Sequence, residues 1–306
     1  MSEPGSERGA GVGEALAVWA ACALLALAVL ATYARLPAAE LYNTSVEGLA
    51  GGLGRALVVL NFPLALVAVG ILGLVADRGS SRAVDAAAAG AVALCLVVAV
   101  PGVVDQSDLD AKWVNAIPAL GVALALALTI AVARRHGIGA VRAHVPGDRL
   151  RLAVAVVVAA MSVPWLFAEL GFYADDVPGL EPLIYAQEVT PEPGQPELRA
   201  VHLGHHHGMD GALLALAALA LTRQLGRLAR PRLRPLVVAY LSLMLAYGLW
   251  NAVQDFWLEQ LVKRGTVSAE IPSALRPSLS LAWLVLLAGA AALYAVLIRR
   301  RPAAAA

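Results

Sequence analysis

Eight stretches of this 306-residue chain are long and apolar enough to cross a lipid bilayer as helices. A spanning helix needs about 20 mostly apolar residues, and a lipid-exposed backbone must satisfy its own hydrogen bonds. The predicted spans are residues 14–34, 55–76, 86–105, 116–134, 150–173, 205–222, 236–256 and 278–298. We therefore expect an all-α, polytopic membrane bundle that forms a single transmembrane domain over residues 1–306.

The composition excludes several classes of protein. Hydrophobic residues make up 60% of the chain and charged residues 15%, with a mean hydropathy of +0.73. Soluble domains are nearer to about 45–50% apolar and about 25% charged. An ordinary soluble enzyme, a disordered chain and a nucleic-acid-binding domain are therefore excluded. The two cysteines, Cys22 and Cys95, lie inside apolar runs, so a disulfide framework or thiolate metal site is also excluded.

The basic residues predict the orientation of the bundle. If the N-terminus is inside, 16 of the 23 basic residues fall in inner segments, as the positive-inside rule requires. These are Arg8, Arg78, Arg82, Arg134, Arg135, Arg142, Arg149, Arg151, Arg223, Arg227, Arg230, Arg232, Arg234, Arg299, Arg300 and Arg301. The N-terminal segment is not basic enough for a signal peptide, which favours a retained first helix. We expect eight helices with both termini cytoplasmic, in a bacterial-type inner membrane.

Acidic residues sort in the opposite direction. Of the 22 acidic residues, 16 fall on the outer side and six on the inner side. The six are Glu3, Glu7, Glu14, Asp77, Asp85 and Asp148. Acidic residues contribute little to the insertion rule, so the asymmetry is separate information and indicates an acidic outer vestibule or cation binding. We expect no buried charge in the inner halves of the helices.

A histidine cluster at the outer start of the sixth predicted span is the strongest local feature. Four of the six histidines lie within six positions: His202, His205, His206 and His207. If the helix begins near residue 202, then His202, His206 and Asp210 share one stripe. Two imidazoles and a carboxylate suit a divalent transition metal, namely Zn²⁺, Fe²⁺, Ni²⁺ or Cu²⁺. His205, His207 and Met209 are additional or alternative ligands.

The alternative is that these histidines are solvated loop residues. Gly204 and Gly208 have the small-xxx-small spacing that lets two membrane helices approach closely, which would explain the glycines without a metal. The long outer loop 174–204 that leads into the cluster is open to two interpretations as well, a lid over a site or a disordered segment.

Other polar residues are expected at the same depth in the outer half. Ionisable residues inside a membrane are costly and by default functional. The candidates are Glu169, Asp255, Asn61, Asp105, Asn251 and Gln254. Taken singly, each is explained by a helix–helix hydrogen bond. Their shared side and depth favour a joint site.

Two short resemblances concern the histidine cluster. The run from His202 to His206 has the spacing of one histidine box of membrane desaturases, but the further boxes that such enzymes need are missing. The run from His205 to Asp210 resembles the metal motif of a family of nickel–cobalt permeases over about ten residues. That family has a histidine directly after the aspartate, where this chain has Gly211.

These features predict a metal-dependent membrane enzyme that hydrolyses a lipid or envelope substrate at the extracytoplasmic face. His202, His206 and Asp210 would hold the ion, and Glu169 or Asp255 would act as general acid or base. Membrane lipids are the expected surroundings, and no nucleic acid is expected. The alternatives are a permease or delivery factor for nickel, cobalt or copper, with the metal ion as substrate, and a non-catalytic membrane subunit.

Overall fold

The computed structural model describes residues 12–36, 45–46, 48–79, 81–104, 110–138, 144–173, 177–180, 183–186, 201 and 207–299, which form helices and turns without any strand. In chain order the helices are α1 (Val12–Arg35), α2 (Gly48–Arg78), α3 (Arg82–Cys95), α4 (Ala116–His136), α5 (Asp148–Met161), α6 (Val163–Glu169), α7 (His207–Leu221), α8 (Leu233–Trp257) and α9 (Leu281–Ile298). Short turns of 3-10 or π helix extend four of them: Leu96–Ala99 after α3, Trp113–Asn115 before α4, Thr222–Arg227 after α7 and Leu258–Val262 after α8.

Membrane-spanning helices dominate the architecture. Six helices, counted with their extensions, are long and apolar enough to span a bilayer, and the bent pair α5–α6 makes a seventh if it forms one span. The prediction of an all-helical, multi-pass membrane protein is confirmed at this level. The remaining predicted span, 205–222, corresponds to α7, which has 15 residues. At about 1.5 Å per residue it is about 22 Å long, shorter than a hydrocarbon core of about 30 Å.

The fifth predicted span is bent in the structure. α5 and α6 meet at Ser162 with an angle of 51°. Pro164 explains the break, because a proline ring lacks an N–H and clashes with the carbonyl four residues earlier. The Ser162 hydroxyl donates to the Ala159 carbonyl at 2.9 Å and satisfies one acceptor near the break. The bend carries Trp165 and Glu169 over the start of α7.

The helix α7 lies in the packed centre of the bundle, with 10 of its 15 residues buried. It makes its closest approach to α8 where Gly211 meets Gly248. A Cβ added to Gly211 would lie 2.7 Å from the Gly248 carbonyl oxygen, and one added to Gly248 would lie 2.7 Å from that of Gly211. Small residues permit this backbone contact, which is a main source of helix association in membranes.

An ion-pair network joins helix ends on the predicted inner side. Arg223 Nε lies 3.1 Å from Glu14 Oε1, and Arg223 Nη2 lies 3.4 Å from Asp148 Oδ2. Arg151 Nη1 pairs with Asp148 Oδ1 at 3.0 Å. We call these four residues the inner network. Glu14 is only 5% exposed, so the expectation of no buried charge in the inner halves is wrong. Its partners lie far away along the chain, and sequence spacing gives no sign of them.

Candidate functional site

Four carboxyl side chains gather at the predicted outer ends of α6, α7 and α8. Glu169 ends α6, Asp210 lies in the first turn of α7, Asp255 lies near the end of α8, and Glu259 lies in the π turn after it. Their exposures are 2%, 7%, 2% and 0% respectively. We call these four residues the carboxylate cluster. A buried carboxylate is unfavourable unless it is protonated, hydrogen-bonded or paired with a cation.

Asp210 is the centre of the carboxylate cluster. Its carboxyl interacts electrostatically with those of both Glu169 and Asp255, so three acids from three different helices meet here. Within the described part of the chain, no hydrogen-bond donor contacts the Asp210 carboxyl. Like charges at close range repel and disfavour ionisation of all members together. The Asp210 position is therefore suited to a cation or to a proton.

Asp255 holds the start of α7. Its Oδ2 accepts a hydrogen bond from the Gly208 backbone N at 2.7 Å. The first N–H groups of a helix have no partner within the helix, and a negative charge at that end is favourable. Asp255 thus has a structural role in addition to any chemical one, because it fixes α7, and with it Asp210, against α8.

Trp165 links Glu259 to the start of α7. The Trp165 side chain is 1% exposed, and its Nε1 donates to Glu259 Oε2 at 2.6 Å. Its ring lies against Gly208, where any side chain larger than hydrogen would overlap the indole. Ring packing therefore requires glycine at 208, whereas the backbone hydrogen bond to Asp255 needs only an N–H. The bend at Ser162 is what aims the indole at this glycine.

Tyr33 provides a hydrogen bond to Glu169 from α1. The Tyr33 hydroxyl donates to Glu169 Oε2 at 2.8 Å, and the tyrosine is fully buried. The Tyr33 carbonyl in turn accepts from Arg55 Nη1 at 3.2 Å. Arg55 also donates to the carbonyl of Val46. This chain of contacts orients Glu169 with a neutral donor next to its carboxyl.

Asn251 lies one turn before Asp255 on α8. It is 2% exposed, and its Nδ2 donates to the Tyr247 carbonyl at 3.0 Å. Its Oδ1 is buried and accepts no hydrogen bond from the described residues. Tyr247 itself interacts electrostatically with Asp210 and donates its hydroxyl to the Leu275 carbonyl at 3.1 Å. A buried acceptor without a donor is costly, so this position is also suited to a ligand.

The structure brings together part of the predicted site. Glu169, Asp210 and Asp255 meet, with Asn251 beside them and Gln254 buried on the same helix. Asn61 instead joins α2 to α4, since its Nδ2 donates to the Asn115 carbonyl at 3.0 Å.

The predicted metal ligands lie mostly beyond the described residues. His202, His205, His206 and also Asp105 are outside them, whereas His207 is the first described residue of α7. Across the described ranges, no three His, Cys, Asp or Glu side chains are arranged to hold a metal ion. The stripe of His202, His206 and Asp210 therefore stays a prediction, and a three-ligand site at Asp210 needs donors from outside the described residues.

Sequence reasoning missed three residues of this site, namely Tyr33, Trp165 and Glu259. Two of them had a helical-spacing signal, because Trp165 lies four residues before Glu169 and Glu259 four residues after Asp255. Such pairs lie on one helix face. Tyr33 had no comparable signal, since it comes from α1 and meets Glu169 only through the tertiary fold.

Comparisons with known proteins give no family for this chain. No family model matches it, and neither a curated protein nor a solved structure resembles it significantly. The function must therefore be argued from the chemistry of the carboxylate cluster. That chemistry is proton transfer, or cation binding through oxygen ligands, next to neutral N–H and O–H donors.

Proposed function

We propose that this chain is a metal-dependent membrane enzyme that hydrolyses a lipid or envelope substrate at the extracytoplasmic face. The observation that carries the proposal is the electrostatic contact among the buried carboxyls of Glu169, Asp210 and Asp255. Holding three acids together in an apolar bundle is costly, which favours a chemical role for the set.

The proposal includes eight membrane crossings with both termini cytoplasmic, in a bacterial-type inner membrane. The helix α7 with its extension Thr222–Arg227 would be the eighth span. With rises of about 1.5 Å and about 2.0 Å per residue for the two parts, it is about 34 Å long, sufficient for a hydrocarbon core of about 30 Å. The arginines after α7 support a cytoplasmic end there.

Asp210 is the residue that best fits a metal ion. It is almost fully buried, and within the described residues its carboxyl receives no hydrogen bond. The histidines at 202, 205, 206 and 207 lie immediately before it in sequence and offer nitrogen donors for Zn²⁺, Fe²⁺, Ni²⁺ or Cu²⁺. When bound, the metal would supply Lewis-acid activation of water.

Glu169 and Asp255 would then move protons. Glu169 is hydrogen-bonded by the neutral Tyr33 hydroxyl, which orients its carboxyl without cancelling its charge. Asp255 is oriented by the Gly208 amide in the same way. Of the two, we assign the general base to Glu169, because Asp255 already caps α7 and its loss would also disturb the helix.

Metal analysis of the purified protein tests the binding step. The protein should carry an affinity tag without histidines, and elemental mass spectrometry should find about one transition-metal ion per chain. Asp210→Asn and His206→Ala should lose most of this metal. The matched controls are Glu270→Gln, an exposed outer carboxyl, and His144→Ala, an exposed histidine elsewhere. A wild-type protein without bound metal would overturn the metal-dependent mechanism.

Hydrolysis is tested separately in vesicles made from a bacterial lipid extract. Wild-type protein should release new water-soluble or single-chain products, detected by mass spectrometry. Glu169→Gln should lower the rate at least tenfold while keeping its metal, as expected for a general base that contributes about 10²–10⁴-fold. Equal product formation by wild type and Glu169→Gln would remove Glu169 from the mechanism.

A further inference from the structure

A small cleft opens between α3 and α4 at the predicted inner end of the bundle. It has a volume of about 90 Å³. Gly79 and Val84 form one wall, and α4 forms the other between Leu128 and His136. Arg135 and His136 belong to this lining, and we call the end of the cleft at these two residues its mouth. The cleft therefore has a basic end as well as an apolar one.

The α4 wall changes from apolar to basic along one helix face. Leu128, Val132 and Arg135 line the cleft and are spaced i, i+4 and i+7, which places them on the same face. From Leu128 to His136, α4 rises about 12 Å, at about 1.5 Å per residue. One leaflet of hydrocarbon is about 15 Å deep, half of the core of about 30 Å. The face therefore matches one lipid in depth and polarity, apolar inside the membrane and polar at its surface.

Two more arginines flank the mouth of the cleft. Arg78 directly precedes Gly79, and Arg82 lies two residues before Val84. Arg82 and Arg135 are exposed, and Arg78 is half-buried. Within the described ranges, no Asp or Glu forms an ion pair with any of these three arginines. Their charges are therefore available to an anion.

Two acids nearby reduce the positive charge of the mouth but do not cancel it. Asp85 pairs with Arg230 at 2.8 Å, and Arg230 also donates to the Gly79 carbonyl. Asp77 accepts hydrogen bonds from the backbone N of Ala229 at 3.0 Å and of Arg230 at 2.8 Å. Four arginines against these two acids leave a net charge of +2 when His136 is neutral. The four are Arg78, Arg82, Arg135 and Arg230.

The inner network provides a contrast at the same end of the bundle. There Arg151 and Arg223 each have a carboxylate partner, at 3.0 and 3.1 Å. The positive-inside rule accounts for arginines at the inner face in general. It does not require that an arginine without an acidic partner should end the apolar wall of a cleft, as Arg135 does. This arrangement indicates a ligand with a negative charge and an apolar part.

An anionic phospholipid fits both parts of the cleft. Guanidinium groups bind phosphate through two parallel hydrogen bonds, and basic pockets between membrane helices on the cytoplasmic side favour anionic headgroups. A free phosphate ion would leave the wall at Leu128 and Val132 uncovered. A protein helix does not fit, because one turn is about 10 Å across and about 5.4 Å long and needs several times this volume.

We propose that the cleft between α3 and α4 binds one anionic glycerophospholipid. Its phosphate would lie at Arg82 and Arg135, and the upper part of one acyl chain would lie against Leu128 and Val132. Phosphatidylglycerol is a lipid of this class. The inference does not depend on the proposed function, because the carboxylate cluster lies at the other end of the bundle.

Photo-crosslinking in vesicles tests the proposal. The full chain is placed in phosphatidylcholine vesicles that contain a phosphatidylglycerol probe with a diazirine near the start of one acyl chain, and labelled residues are mapped by mass spectrometry. We expect the label per exposed residue to be at least threefold higher in 128–136 than in 292–299. That control segment is the end of α9, at the same predicted face, and it also ends in an arginine, Arg299. Equal labelling of the two segments would overturn the proposal.

Two neighbouring arginines give a matched pair of variants. Arg135 lines the cleft, whereas Arg134 is also exposed but does not line it. Arg135→Gln should lower labelling of the cleft at least threefold, and Arg134→Gln should change it less than twofold. Equal effects of the two variants would indicate a diffuse attraction to the basic surface and would overturn the proposal.

A second pair of variants addresses the apolar part of the cleft. Ala131 is exposed and lines the cleft, so Ala131→Phe should fill it and lower labelling at least threefold. Ala123 lies two turns earlier on α4 and is exposed but does not line the cleft. Ala123→Phe should therefore change labelling less than twofold. Labelling of the cleft that survives Ala131→Phe would overturn the proposal.

Two further arms identify the ligand. A phosphatidylethanolamine probe with the same diazirine chain should label the cleft at least threefold less, and equal labelling by both probes would overturn the anionic assignment. Excess inorganic phosphate, compared with chloride at equal ionic strength, should change labelling by phosphatidylglycerol less than twofold. Loss of labelling in phosphate alone would mean that the mouth binds the free anion, and it would overturn the lipid assignment.

Discussion

The two ends of the bundle treat buried charge in opposite ways. In the inner network, each acid meets a base: Arg223 lies between Glu14 and Asp148, and Arg151 pairs with Asp148. In the carboxylate cluster, acids lie beside acids, and the Tyr33 hydroxyl, the Trp165 indole and the Gly208 backbone donate hydrogen bonds to them. The two ends therefore differ in whether neighbouring charged side chains carry opposite or like charges.

This difference separates a structural role from a functional one. A paired set of charges fixes helix ends against each other and needs nothing further. Acids that lie beside acids repel one another when ionised, so their positions favour binding of a cation or a proton. Neutralising an acid should therefore change stability with opposite sign at the two ends of the bundle.

Gly208→Ala should cause the largest loss of stability. The added methyl group displaces the Trp165 ring, which costs about 1–3 kcal/mol in overpacking. Displacing the ring also breaks the hydrogen bond from Trp165 to the buried Glu259 carboxyl. Loss of that donor costs about 1–3 kcal/mol more. We expect a loss of about 3 kcal/mol in the free energy of unfolding, measured by denaturant titration in mixed micelles.

Gly289→Ala is the control for this substitution. Gly289 lies within α9, and an added Cβ there meets nothing within 4 Å. Alanine should stabilise the helix by about 0.5–1 kcal/mol, because glycine is the poorer helix former. If both variants change stability by similar amounts, the contact between Trp165 and Gly208 does not have the role assigned to it.

Arg223→Met should cause the next largest loss. Removing one member of a buried ion pair leaves its partners uncompensated, which costs about 3–5 kcal/mol when burial is complete. The Arg223 side chain is 23% exposed, so we expect about 2 kcal/mol, seen as a lower unfolding midpoint. Arg149→Met, an exposed neighbour, should stay within about 0.5 kcal/mol. An equal effect of the two variants would contradict a structural inner network.

Asp210→Asn should raise the free energy of unfolding of the metal-free protein, whereas Gly208→Ala and Arg223→Met lower it. Neutralising the central member of the carboxylate cluster removes repulsion from Glu169 and Asp255, so the variant should be more stable by about 1 kcal/mol. Asp148→Asn, which removes the acid that Arg151 and Arg223 share in the inner network, should instead lose about 1 kcal/mol. The two unfolding titrations are compared at pH 8. A loss of stability in Asp210→Asn would mean that this carboxyl is structural.

Asp85→Asn should have the smallest effect. Asp85 pairs with Arg230 at 2.8 Å, but the two side chains are 42% and 37% exposed. Exposed ion pairs contribute about 0–1 kcal/mol. We expect the free energy of unfolding to change by less than about 0.5 kcal/mol. The change should disappear in 1 M salt, because salt screens the attraction between exposed charges. A larger change would show that exposure at this surface does not predict the strength of ion pairs.

The sequence was sufficient to predict an all-helical, multi-pass protein, because long apolar runs become helices when the backbone must satisfy its own hydrogen bonds in lipid. It also indicated that Glu169, Asp210 and Asp255 would lie at one depth, since membrane helices of similar length carry their ends to the same plane. The helix lengths were less predictable. α2 begins at Gly48 rather than near 55, and the fifth span bends at Ser162.

The sequence could not predict which side chains on different helices pair with each other. Trp165 reaches Glu259, and Glu14 reaches Arg223, only after the helices have packed. Pro164 is visible in the sequence as a helix breaker, but the direction of the bend depends on the space above Gly208. Helix periodicity predicts which residues share a face, and it does not predict which face meets which helix.

We hold that the carboxylate cluster is a cation site and not a structural device, and thermal unfolding with and without metal is the sharpest test. Metal-free wild-type protein should gain stability on adding one of Zn²⁺, Fe²⁺, Ni²⁺ or Cu²⁺, by about 2.7 kcal/mol at one hundred times the dissociation constant. Asp210→Asn should gain little, although it keeps all the histidines. No gain in wild type with any of these ions, or an equal gain in Asp210→Asn, would contradict the claim.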